Sequence, residues 1–183
     1  MKKQTRTLEE RVQALEDALE IANLKATYVN GADGGWTFNP RSSDPDEIVP
    51  LFAEDGAWHS DSQGRAEGRE AIRKAWEKFS QAMPFAFHTI SNPKIQVDGD
   101  TATGEWHLMM RGTDANGQEF WSAGIYQDEF VRTPEGWRVK KTHPRLVFLG
   151  PYSKGWKVLL ESAMRAEGDD IPPEWKQMHT KAE

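Results

Sequence analysis

The chain has 183 residues, no cysteine and a formal net charge of −6. That length suits one domain with a real core, and the missing cysteines exclude disulfides, thiol chemistry and cysteine–zinc sites. An acidic balance without a basic cluster argues against nucleic acid, and no apolar run is long enough to span a membrane.

Residues 7–32 are predicted as one helix. Thr7 and Glu10 form a T-x-x-E capping box, and Leu8, Val12, Leu15, Leu19, Ala22, Ala26 and Val29 recur at alternating spacings of four and three. That is one apolar stripe, to be packed on a sheet or on a neighbouring subunit. Ile21, Leu24 and Tyr28 add a flanking row, so the later half of the helix is the deeper one. Gly31 and Gly34-Gly35 are expected to end it, with Asp33 in the break. Residues 34–47, rich in Gly, Pro, Ser and Asp, read as a loop. Residues 48–53 read as a short helix closed by a turn at Glu54-Asp55-Gly56, and residues 57–59 as the start of a short strand. Residues 68–83 read as a helix with Ile72, Trp76 and Phe79 on one side, stopped by Pro84.

Beyond His88 lie long runs of strand composition. They are separated by Asp98-Gly99, Asn116-Gly117 and Pro134-Glu135-Gly136, which are hairpin signals. Those turns predict four antiparallel strands ending near Leu149. Gly104, Gly112 and Gly124 suggest bulges or bends, hence a strongly curved sheet with the helices as its cover. Alternation over residues 137–145 places Trp137, Val139, Lys141, His143 and Arg145 on one face if no bulge intervenes. The outer face would carry Trp121, Ile125 and Val131. That apolar patch implies self-association as a dimer or trimer. Residues 155–166 suggest a last helix and the remainder an irregular tail, so residues 1–150 form the domain and 151–183 an extension.

Helix, short helix, helix and curved antiparallel sheet make an α+β cone. Together with the segments LEERVQALEDALEIANLKATYVNGAD, LFAEDGAWH, HTISNPKIQVDGDTATGEW and YQDEFVRTPEGWRV, the chain resembles the SnoaL-like branch of the nuclear-transport-factor-2-like superfamily over roughly residues 7–150. That branch includes bile-acid 7α-dehydratase and, more distantly, scytalone dehydratase. The resemblance implies a cone-shaped barrel and a cofactor-free lyase. It implies a catalytic tyrosine near the end of the first helix, an aspartate just beyond and a histidine on the first long strand, which here are Tyr28, Asp33 and His88.

Each of the three has an ordinary alternative: a rim tyrosine, a turn aspartate beside glycines, a hydrogen-bonded core histidine. Together they suit elimination of water. A histidine transfers protons near neutral pH, a carboxylate fixes its tautomer, and a tyrosine hydroxyl donates to an oxygen gaining charge. Eight tryptophans suggest an aromatic-lined pocket for a flat ligand. Family members often carry a further acidic or polar group along the next strand, where this chain has Trp106-His107-Leu108-Met109-Met110-Arg111. A Met- and Trp-lined pocket argues against a steroid-type substrate and for an aromatic one. A phenolic substrate could pass through a quinone methide and lose formaldehyde, as in the lignin-derived diarylpropane lyases of this superfamily, which the chain resembles. Substrate contacts are expected from Trp58, Trp106, Met110, Tyr126, His143 and Arg145. No cofactor and no metal are expected; the remaining histidines lack ligand spacing. The N-terminal residues MKKQTRTLEE lack the apolar stretch of a signal peptide, so a cytoplasmic location is expected. An isomerase or cyclase using the same groups, and a non-catalytic binding protein or oxygenase β-type subunit, remain alternatives.

Overall fold

A computed structural model of the chain describes residues 7–33, 43–60 and 64–154. The predicted helix at 155–166, the tail and most of the 34–47 loop lie outside them. The elements run α1 (Leu8–Ala32), α2 (Pro45–Ile48), a single 3-10 turn (Val49–Leu51), β1 (Phe52–Ser60), β2 (Gly64–Glu67), α3 (Arg69–Ala82), β3 (Phe85–Asp98), β4 (Thr101–Thr113), β5 (Glu119–Thr133) and β6 (Gly136–Pro151). The α+β architecture is the expected one, and no described helix is long and apolar enough to cross a membrane.

α1 starts as its sequence dictates: Thr7 Oγ1 accepts from Glu10 N–H at 3.2 Å, and Glu10 Oε2 accepts from Thr7 N–H at 2.7 Å. Its orientation differs from the apolar periodicity. Leu8, Leu15 and Leu19 are 71, 72 and 63% exposed, and the buried row is Asp17, Ile21, Lys25, Tyr28. Asp17 turns inward because Arg132 and Trp137 meet it: Arg132 Nη2 donates at 2.8 Å and Trp137 Nε1 at 3.2 Å. Lys25 turns inward because Asp128 lies beneath it. Paired charges thus outweigh three leucines in setting the helix face. The helix also runs through Gly31 instead of ending there. A Cβ at Gly31 would sit 3.0 Å from Ile48 Cγ1, so the glycine serves close packing of α2 on α1.

The sheet order is β2-β1-β6-β5-β4-β3, leaving β2 and β3 as edges, so the cone stays open. β3 to β6 form the predicted antiparallel meander, with Gly99, Gly117 and Gly136 at positive φ (59°, 78° and 100°) in its turns. β1 pairs in parallel with β6, an exception to the all-antiparallel expectation. Two segment assignments need correction. The short helix falls earlier than residues 48–53, because Asp44 caps Asp46 N–H at 2.8 Å and Pro45 begins α2. The expected turn at Glu54-Asp55-Gly56 is an irregularity inside β1, where the register to β6 shifts between Phe52 and Ala57.

Two register shifts in β5–β6 decide which side chains face inward. Phe130 pairs with Val139 but Glu129 with Lys141, so Lys140 is an extra residue; Val147 is another, between the Gly124–Leu146 and Ala123–Phe148 pairs. The first shift moves Lys141, His143 and Arg145 to the outer face and brings Thr142, Pro144 and Leu146 inward with Trp137 and Val139. Gly104 and Gly112 sit in regular register. They make room for rings, since a Cβ at Gly104 would lie 2.1 Å from the Trp106 ring and one at Gly112 2.5 Å from Phe120. On the outer face Trp121 is buried against Phe148, with ring centroids 4.7 Å apart, and Ile125 and Val131 are half-buried. The patch is thus less exposed than the alternation implied.

Candidate active site

The concave face of β3–β6, the last turns of α1, β1 and α3 enclose a predominantly apolar cavity. Its empty volume is about 610 Å³ with the open mouth included. It is a narrow slot. Tyr28, Trp58, Trp76, His88, Met110 and Tyr126 are among its walls.

Asp33 occupies the C-cap of α1, where its N–H returns to Gly31 O and Val29 O. β3 is an edge strand, and the Asp33 carboxylate covers that edge: Oδ1 and Oδ2 accept from the backbone N–H of His88 at 3.0 and 2.9 Å. Asp33 Oδ1 also lies 2.6 Å from His88 Nδ1, with both side chains nearly buried (4% and 10% exposed). One carboxylate therefore fixes both the strand and the orientation of the ring. Nδ1 is taken by Asp33, so Nε2 is the nitrogen left for the cavity, and a proton gained there meets a carboxylate already in place.

Tyr28 is enclosed edge-on by Phe52, Trp76 and Tyr126, with ring centroids 6.0, 5.9 and 6.1 Å away. Its hydroxyl makes side-chain hydrogen bonds with Trp58, Thr142 and Tyr126. Burial, reinforced by the Asp128 charge, pushes its pKa well up. Tyr126 is shifted the same way, by burial first, then by the repulsion an ionised Tyr28 would add and by the Asp128 and Asp33 carboxylates. Both are neutral phenols under ordinary conditions, able to donate a hydrogen bond. Trp76 Nε1 is buried with no hydrogen-bond partner among the described residues.

Of the residues expected at the site, Tyr28, His88, Trp58, Met110 and Tyr126 share the cavity, and Asp33 backs His88. Trp106 lies outside the walls, its ring lying back over Gly104 and 5.9 Å from Phe130. His143 and Arg145 do not reach the cavity either. They face outward, and the His143 ring lies 6.4 Å from that of His59. Sequence reasoning passed over a second buried group. Lys25 Nζ lies 2.7 Å from Asp128 Oδ2 with both side chains 1% exposed; Thr142 Oγ1 donates to Asp128 Oδ1 at 2.6 Å. Its signals were present: a lysine in the row Ile21-Lys25-Tyr28, and an aspartate alternating with Tyr126 and Phe130.

A family model for the SnoaL-like domain matches residues 13–143. The chain is 32% identical over 135 residues to an uncharacterised protein of Mycobacterium tuberculosis strain H37Rv, covering 70% of this chain and 84% of that one. Among solved structures, a scytalone dehydratase candidate from Novosphingobium aromaticivorans superposes with a TM-score of 0.67 at 21% identity, covering 78% and 91% of the two chains. Hexachlorocyclohexane dehydrochlorinase LinA-type3 from Novosphingobium barchaimii does so with a TM-score of 0.67 at 17% identity, covering 89% and 99%. At those identities the likeness is one of fold.

Proposed function

We propose that this chain, which belongs to the SnoaL-like domain family, is a cofactor-independent lyase that eliminates water from a hydroxylated aromatic or polycyclic small molecule. The observation that carries this reading is the 2.6 Å contact between Asp33 and His88 Nδ1 at the wall of an apolar, unfilled slot. A carboxylate behind the ring and a cavity before it are what an acid–base histidine requires. Solved relatives of this fold named for dehydration and dehydrochlorination, both eliminations, agree with it.

In this mechanism His88 Nε2 takes a proton from the carbon beside the leaving group. The C–H electron pair forms the double bond, the C–O bond breaks, and the imidazolium returns its proton to the departing hydroxyl as water. Asp33 stabilises the imidazolium between the two transfers. The paired hydroxyls of Tyr28 and Tyr126 supply the hydrogen bond to the oxygen that gains charge. A phenolic substrate would use the same groups: loss of the phenolic proton expels a benzylic hydroxyl and leaves a quinone methide. A neighbouring hydroxymethyl group could then lose its O–H proton and break its C–C bond, releasing formaldehyde as the quinone methide regains aromaticity. The aromatic walls of Trp58, Trp76 and Tyr126 favour a flat ring that can pack against them.

The test is to incubate the protein with a panel of hydroxylated aromatic compounds and follow loss of water or formaldehyde by mass spectrometry. Conversion that disappears in His88→Gln supports the reading. Conversion that persists in that variant overturns the role of His88. Products of unchanged mass would replace the lyase by an isomerase or cyclase. The working form is a cytoplasmic homo-oligomer, dimer or trimer, and light scattering that reports a monomer at micromolar concentration would refute the association.

A further inference from the structure

The buried ion pair beneath the cavity dictates the direction of the hydrogen bonds above it. Asp128, paired with Lys25 at 2.7 Å, is a carboxylate and can only accept. The single hydroxyl hydrogen of Thr142 is therefore committed to Asp128 Oδ1, at 2.6 Å. Thr142 keeps its oxygen as an acceptor, approached by Lys25 Nζ at 3.4 Å and by Tyr28. Trp58 Nε1 can only donate, so it gives its hydrogen to the Tyr28 oxygen. The one hydrogen of Tyr28 then goes to Thr142, away from the slot. What remains is the hydroxyl of Tyr126. It bonds to Tyr28, and the charges it feels include Asp33, the carboxylate behind His88. Its ring is held from the other side, with Lys25 Nζ 3.3 Å from the centroid.

We infer that Tyr126 is the hydrogen-bond donor to the ligand oxygen, and that Tyr28, Thr142, Asp128 and Lys25 form a buried chain that positions it. The inference rests on the proposed lyase site and refines which hydroxyl serves it. Without ligand, Tyr126 donates to the Tyr28 oxygen. When a ligand oxygen enters, Tyr126 turns its hydrogen to the ligand, while the Tyr28 oxygen keeps the hydrogen bond from Trp58. Tyr28 is thus a positioning residue, and Thr142 fixes it through the ion pair. The ligand this arrangement takes has an oxygen that becomes negative at the edge of a flat ring, the chemistry of a phenolate or dienolate.

Two measurements test it. In the first, 4-nitrophenol is titrated into the protein just below the probe's own pKa, and its phenolate band reports transfer of the proton to His88. Tyr126→Phe is expected to weaken phenolate binding about tenfold, the loss of one charge-assisted hydrogen bond, and Tyr28→Phe about two- to threefold. A larger loss in Tyr28→Phe than in Tyr126→Phe overturns the assignment. The second needs no ligand. In urea unfolding, Tyr28→Phe and Thr142→Val should be coupled, the second change costing little once the first is made. Tyr126→Phe with Thr142→Val should be coupled more weakly than that pair, through Tyr28 alone, and Thr142→Ser should behave like the parent. Additive Tyr28 and Thr142 changes overturn the chain. If 4-nitrophenol fails to bind the parent protein, the flat-ligand cavity is refuted, while the chain stands or falls on the unfolding cycle.

Discussion

Replacing Lys25 by methionine keeps the length of the side chain and removes its charge, stranding Asp128 at 1% side-chain exposure. Removing one partner of a buried pair typically costs about 3–5 kcal/mol, since the remaining charge has lost its solvent and its counter-ion together. Lys25 sits near the top of that range, because its ammonium also contacts the Tyr126 ring at 3.3 Å. With a urea slope of about 2 kcal/mol/M, the unfolding midpoint should fall by about 1.5–2.5 M. Adding Asp128→Asn to Lys25→Met should recover most of that loss, because the amide oxygen still accepts from Thr142 and no charge is left buried. The pH dependence has a definite sign. Burial lowers the pKa of Lys25 from 10.5 in the folded state, against the opposing effect of Asp128. Between the lowered value and 10.5 the unfolded chain binds more protons than the folded one, so stability rises with pH across that window. Asp128→Asn alone removes what holds Lys25 charged, and its deficit should be smaller at about pH 9 than at about pH 7. A midpoint shift below about 0.5 M in Lys25→Met, or a double variant as unstable as the single ones, would show that the pair is solvated and refute the reasoning.

Replacing His88 by glutamine should lower turnover on a converted compound by about 10²–10⁴, with the far-ultraviolet circular dichroism spectrum retained and 4-nitrophenol bound without its phenolate band. Turnover within a factor of three of the parent would move the chemistry elsewhere. Arg132 lowers the pKa of Asp17 below 3.8, so the contact stabilises the fold above that value and is lost as pH falls through the lowered one; Arg132→Met should move the acid-unfolding midpoint to higher pH. Gly104→Ala should cost about 1–3 kcal/mol in urea unfolding, because its Cβ would land 2.1 Å from the Trp106 ring, and a neutral result would mean that the ring has another place to go.

Much of the frame was legible in the chain itself. The capping box at Thr7, the glycines after Asp98, Asn116 and Glu135, and the apolar side of α3 are local signals. Each acts within a few residues, so no distant contact can reverse it. Tyr28, Asp33 and His88 were also legible, as residue types set by the resemblance, although their meeting point was not. What the tertiary structure alone decided lies wherever two remote segments compete for one face. The leucine stripe of α1 points outward because Asp17 and Lys25 find partners 115 and 103 residues away, and an unpaired buried charge costs more than exposed leucines. His143 and Arg145 left the pocket for a similar reason. One extra residue at Lys140 reverses the facing of the side chains from Lys141 to Leu146, and strand alternation carries no record of such a bulge.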